Sequence, residues 1–131
     1  MNPPSRVTLS RLALLLLCFM NTAAFSSDDL VGFWQHTEQP AWIEVRFDSG
    51  QGEGTVVRND VYTGRVGTVL LKNLVAVKDK QWQGEVYAEK FGEYKQARIS
   101  LSKPDVMGIK VKVGFMSRTI EMRRVSAVPE S

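Results

Sequence analysis

The sequence predicts an all-β domain, a small antiparallel up-and-down barrel of about eight strands, and three observations predict it. Apolar residues recur with a period near two through most of residues 27–125, the spacing of a strand with one buried face. The runs are separated by about two to six residues rich in glycine, aspartate, asparagine and proline, which are turn formers. No stretch of this region carries a convincing amphipathic helical repeat. Short connections make neighbouring strands antiparallel. One-sided alternation gives a single inner face, and closing the sheet on itself removes its edges. At eight strands the interior is either filled by side chains or holds one small ligand.

The elements follow in order. Residues 1–26 read as an export signal: Arg6 and Arg11 form a positive start, residues 12–20 are apolar, and the next residues are small or polar. The apolar run suits a signal core of about 7–15 residues and is too short for a membrane span. Cleavage after Ala24 and cleavage after Ser26 both leave small residues at the recognised positions. Cys18 lies inside the apolar run after Leu17, which is not the small residue that lipoprotein processing wants, so acylation is not expected. The expected location is periplasmic or secreted. The mature chain has no cysteine and no disulfide, although the compartment would permit one. The precursor carries 17 basic and 14 acidic residues. Loss of Arg6 and Arg11 leaves 15 against 14, a net +1 that gives no reason to expect a nucleic-acid partner.

About 105 residues remain, enough for one core without cross-links. Leu30 to Trp34, Leu-Val-Gly-Phe-Trp, open the mature domain with a large aromatic entering the core and a glycine that permits a close backbone crossing. Ile43, Val45 and Phe47 alternate with Glu44, Arg46 and Asp48. After the turn at Asp48-Ser49-Gly50, residues 53–58 resume in β-prone types. Residues 66–77 form a long apolar run whose valines favour strand over helix. Residues 81–88 form the next, and a loop at 90–93 contains Gly92. Ala97, Ile99 and Leu101 alternate with polar neighbours up to the turn at Lys103-Pro104-Asp105. Met107, Ile109, Val111 and Val113 make the cleanest alternation in the chain, and residues 118–125 close it. Residues 126–131 read as a disordered tail.

The order and spacing of several short pieces resemble a family of exported bacterial proteins known as domain of unknown function 2147, which is lipocalin-like. The pieces are Gly32-Phe33-Trp34, Trp42-Ile43-Glu44-Val45, the Gly50/Gly52/Gly54 region and Gly67 with Leu70-Leu71. They continue with Trp82-Gln83-Gly84-Glu85-Val86-Tyr87, Gly92 with Tyr94, and Arg118 and Arg124. The chain departs from the family pattern at residues 58–67, where a longer loop is missing. It departs again at Ala88-Glu89, where Asp-Pro is usual, and at Met122, where tryptophan is. The resemblance implies a lipocalin/calycin-like barrel in which Gly32 and Trp34 are structural and Trp34 packs beside a last-strand arginine, Arg118 or Arg124. It implies no activity.

The residues themselves offer little catalytic chemistry. His36 is the only histidine, so a triad or proton relay would have to use it. With Glu38 it lacks the third and fourth ligands a metal site needs, and it reads as a surface or rim histidine. No catalytic, metal or cofactor site is expected. Gly50-x-Gly52-x-Gly54 precedes a strand rather than a helix, so it reads as a hairpin with bulge-prone glycines, not a phosphate loop. The aromatics divide between core and pocket. Trp42, whose parity opposes Ile43, Val45 and Phe47, is a ligand-binding candidate together with Tyr87 and Tyr94. The walls of such a pocket would come from Phe47, Ile99, Val111 and Val113. Lys103, Lys110, Lys112, Arg118, Arg123 and Arg124 make the end of the chain basic. The function expected first is a non-enzymatic binding module for a small apolar or amphiphilic ligand in the cell envelope. The alternative is an envelope interaction protein that meets an anionic surface with its basic outer face, and a hydrolase stands third.

Overall fold

The computed structural model describes residues 28–130; the segment expected to be an export signal, its expected cleavage site and Cys18 lie outside the described residues. Eight strands follow one another: β1 (Gly32–His36), β2 (Ala41–Asp48), β3 (Gln51–Asn59), β4 (Val69–Lys78), β5 (Gln81–Ala88), β6 (Glu93–Lys103), β7 (Val106–Val113) and β8 (Met116–Val125). Each pairs antiparallel with the next, and β8 pairs back onto β1 to close the barrel. Two 3-10 turns, Asp28–Leu30 and Thr63–Arg65, accompany them. The expected architecture is therefore present, with two local differences. The first apolar stretch is not all strand, because Asp28–Leu30 coils and puts Leu30 into the core. The run expected from residue 66 begins as strand only at Val69, because Gly67 turns with φ +94° and donates to the Val56 carbonyl at 2.8 Å.

The two ends of the barrel differ. Trp34 and Trp82 are fully buried with Leu74, Ile99 and Met107. They fill the end from which the β2–β3, β4–β5 and β6–β7 turns project. The Arg124 guanidinium stacks on Trp34, 4.4 Å from the ring centroid. Its nitrogens donate to the carbonyls of Val31 (2.8 Å), Pro104 (3.2 Å) and Asp29. Trp34 Nε1 donates to the Leu30 carbonyl at 3.0 Å, so the first coil, the β6–β7 turn and the last strand are latched together. Of the two arginines expected beside Trp34, Arg124 takes the place. Gly32 is required there: its φ is +136°, and a β-carbon would lie 2.9 Å from Arg124 Nη1.

Phe47 also faces inward at this end. A β-carbon on Gly52 would come within 2.6 Å of its ring, and the β3–β4 register slips on either side of Gly54. The glycine triplet thus forms a hairpin and bulges that admit a large ring. The tail has no regular structure beyond β8, yet Arg58 donates to the Pro129 carbonyl.

Candidate functional site

At the other end, where the β1–β2, β3–β4, β5–β6 and β7–β8 connections gather, the barrel is hollow. A cavity of about 690 Å³ opens there, within the usual range of roughly 300–1,000 Å³ for small-molecule sites. Its floor and walls are Ile43, Val56, Val86, Val111, Ile120 and Met122, inward residues of β2, β3, β5, β7 and β8. Val113 continues the wall upward. Ile99 and Phe47 do not take part: they lie in the packed half, against Trp82 in register and Gly52 respectively.

Polar groups ring the mouth. β8 presents Arg118, Ile120, Met122 and Arg124 to the inside in succession, so an arginine flanks its inward apolar pair on each side. Arg124 is held by three carbonyls; Arg118 lines the cavity and forms no ion pair among the described residues. His36 lies two residues after Trp34 and also lines the cavity. Its Nδ1 accepts from the Glu38 backbone N–H at 3.0 Å, which places the proton of the neutral ring on Nε2. Burial lowers its pKa from the ordinary value; Glu38 opposes this and the Arg118 charge adds to it. Neutral His36 and charged Arg118 therefore offer two donors at one lip of the cavity.

The β3–β4 connection is built by Asn59. Its buried Oδ1 accepts from the N–H groups of Val61 (3.0 Å) and Tyr62 (2.7 Å), starting the turn that leads into Thr63–Arg65. Arg65 lies 3.7 Å from the centroid of the Tyr62 ring and pairs with Glu89, which ties this connection to the β5–β6 loop. Lys90, also at the mouth, forms no ion pair among the described residues. With Arg65 and Glu89 neutralising each other, Arg118 and Lys90 leave the mouth net positive.

The three aromatics predicted to bind ligand are placed differently. Tyr87 and Tyr94 face each other across β5 and β6 on the parity opposite to Val86, so they border the mouth from the outer side. Their rings meet edge-on at 5.2 Å. The Tyr94 hydroxyl donates to the Val69 carbonyl at 2.8 Å and Lys72 Nζ sits 3.8 Å from its ring centroid, so this hydroxyl is committed to the wall.

Trp42 does not line the cavity, which corrects the expectation. It lies on the outer wall, opposite Gln35 and Arg58 in register, yet is only 6% exposed. Arg58 covers it at 5.1 Å and reaches on to Pro129. The outward parity of Trp42 agrees with the sequence pattern, but its cover is Arg58 rather than a ligand. His36 and Arg118 are among the cavity residues not expected from the sequence. Their signal was parity: each sits two residues from an inward apolar neighbour, Trp34 and Ile120.

Among the described residues no group of three or more His, Cys, Asp or Glu side chains could hold a metal ion.

Comparison with known proteins bears on the fold. The chain is similar in structure to HP1028 from Helicobacter pylori, a protein described as belonging to the lipocalin family. The TM-score is 0.58 at 16% identity, over 79% of this chain and 85% of that one. At that identity the likeness shows the fold, a lipocalin-like barrel. No family model and no curated protein matches the chain, so the narrower resemblance to domain of unknown function 2147 rests on the sequence pattern.

Proposed function

We propose that this protein is an exported, non-enzymatic carrier of that lipocalin-like family, which holds one small amphiphile in the cell envelope. The apolar tail occupies the hollow half of the barrel and the polar head stays at the mouth. The observation that carries this reading is the cavity itself: apolar at its floor, open at one end only, and ringed by Arg118, His36 and Lys90. Apolar walls supply affinity without direction, and a few polar groups fix orientation. Arg118 is the anchor best suited to an anionic head, because a guanidinium offers paired donors to a carboxylate or phosphate. Tyr87 and Tyr94 support the rim rather than hold the head.

Titration of a fluorescent fatty acid into residues 27–131 tests the proposal. Saturable binding at one site per chain is expected. Ile120→Trp, which fills the cavity from its wall, should abolish it, and Arg118→Leu should weaken it by roughly 10- to 100-fold, the effect of losing one charge-assisted contact. Tyr87→Ala should leave binding close to wild type. A folded protein that binds neither this probe nor an uncharged long-chain alcohol would overturn the proposal. The basic outer face near the end of the chain is a second working surface, and its position relative to the mouth gives it a meaning of its own.

A further inference from the structure

Most of the large apolar side chains left exposed lie at the mouth end; Val31, Val75 and Val77 are the exceptions. Val61, Tyr62 and Val66 lie on the β3–β4 connection, Phe91 on the β5–β6 loop, and Phe115 and Met116 at the β7–β8 hairpin. All three connections rim the mouth. Phe115 is 103% exposed and Met116 73%, the values of side chains that touch almost nothing.

The outer wall between the second and third of these tips is basic. Arg98 and Lys110 stand directly opposite each other on β6 and β7, and Lys112 is the next outward residue toward the Phe115 tip. With Phe115, Gln83 and Gln96 they line a shallow depression. None of the three cations forms an ion pair among the described residues. Like charges opposite one another on neighbouring strands are destabilising, and no contact within the barrel compensates for them here.

We propose that this face docks on an anionic lipid bilayer. Phe115, Met116 and Phe91 enter the interfacial region, while Arg98, Lys110 and Lys112 meet the headgroups. Aromatic and apolar tips combined with a basic flank are what an anionic membrane surface attracts. The apolar groups sit on separate tips around an open hole. A protein partner would need a filled, contiguous patch, whereas a bilayer receives each tip independently. Docking is peripheral: the outer wall carries Arg46, Lys72, Glu85 and Lys110, so it presents no apolar band to lipid. In this pose the mouth faces the membrane. If the barrel carries an amphiphile, as proposed above, the ligand passes between bilayer and cavity without crossing open water.

Co-sedimentation with phosphatidylglycerol vesicles and with phosphatidylcholine vesicles, using residues 27–131 and no added ligand, tests the docking. Wild type should pellet with the anionic vesicles and hardly at all with the zwitterionic ones. The triple variant Arg98→Gln, Lys110→Gln, Lys112→Gln should bind roughly a hundredfold more weakly, at about fivefold per basic residue. Phe115→Ser with Met116→Ser should also lose binding. Val75→Ser with Val77→Ser, on β4 away from the mouth, should match wild type, and circular-dichroism melts establish that every variant is folded. The proposal fails if wild type ignores anionic vesicles, binds both kinds equally, or keeps its binding in the folded tip or charge variants. It also fails if the tips instead drive a concentration-dependent dimer that Phe115→Ser abolishes. Because no ligand is present, failure here leaves the carrier reading untouched, and a failed probe titration leaves the docking untouched.

Discussion

Trp34, Arg124 and Gly32 form one unit in which each residue constrains the others. Trp34 fills the closed end, Arg124 covers its face and gathers the carbonyls of Asp29, Val31 and Pro104, and Gly32 leaves the space that the guanidinium occupies. Trp34→Ala should cost about 3–5 kcal/mol, as other truncations of buried aromatics do. Gly32→Ala combines an unfavourable backbone angle with a clash and should cost more than about 1 kcal/mol. Urea unfolding reads both, and a wild-type midpoint for either would show that the latch does not hold the end closed. His36 makes a different prediction. Its folded pKa is lowered, chiefly by burial, so the unfolded chain takes up the proton more readily as pH falls through about 6.5. The stability contribution present above that pH is lost on acidification toward the folded value, then levels off below it. The melting temperature should therefore fall across that window, and His36→Gln should flatten this part of the profile.

At the scale of elements, sequence reading and structure part company at the ends of strands rather than in their middles. The alternation in β2, β5 and β7 was legible because both faces of a strand leave a mark: Ile43, Val45 and Val111 are buried and Arg46 and Lys112 are not. Connections leave no such mark. The β3–β4 segment read as a strand from residue 66, whereas Asn59, through two backbone hydrogen bonds, and Gly67 shape a loop there. Asn59→Ala leaves two N–H groups without their partner and should cost about 1–3 kcal/mol, read by thermal melts. It should also weaken probe binding, because this connection forms part of the mouth. Arg65→Gln, by contrast, removes a partly exposed ion pair and should change stability by no more than about 1 kcal/mol. Trp42 lies off the cavity for a related reason. Parity says which face a side chain takes, but not what covers it, so Trp42 could not be told from a binding residue without knowing where Arg58 runs.

For the whole molecule, the decisive division is between a packed half and a hollow half. Sequence composition could not show it, since valine, isoleucine and methionine line both. What separates them is where the inward indoles fall: Trp34 and Trp82 occupy one end, while Trp42, at the other, lies on the outer wall. A ligand in the hollow half binds the folded barrel alone, so a saturating amphiphile at about a hundred times its dissociation constant should stabilise the protein by about 2.7 kcal/mol. A neutral long-chain alcohol should stabilise less than the matching carboxylate, and added salt should narrow the difference, since only the carboxylate draws on the charge at the mouth. Equal shifts for both compounds at low salt would remove Arg118 from the account of affinity.

The seam between β1 and β8 has a consequence for how the barrel comes into being. It joins Phe33 to Val125 and His36 to Met122, so the first strand to leave the ribosome must wait for the last. Until then β1 and β8 are both raw edges, and the ordering of nearly the whole chain is a cost that local contacts do not repay. A cup whose rim is sewn from both chain ends has no half-made form that can hold its contents. Loss of either end strand should abolish binding outright rather than reduce it by degrees.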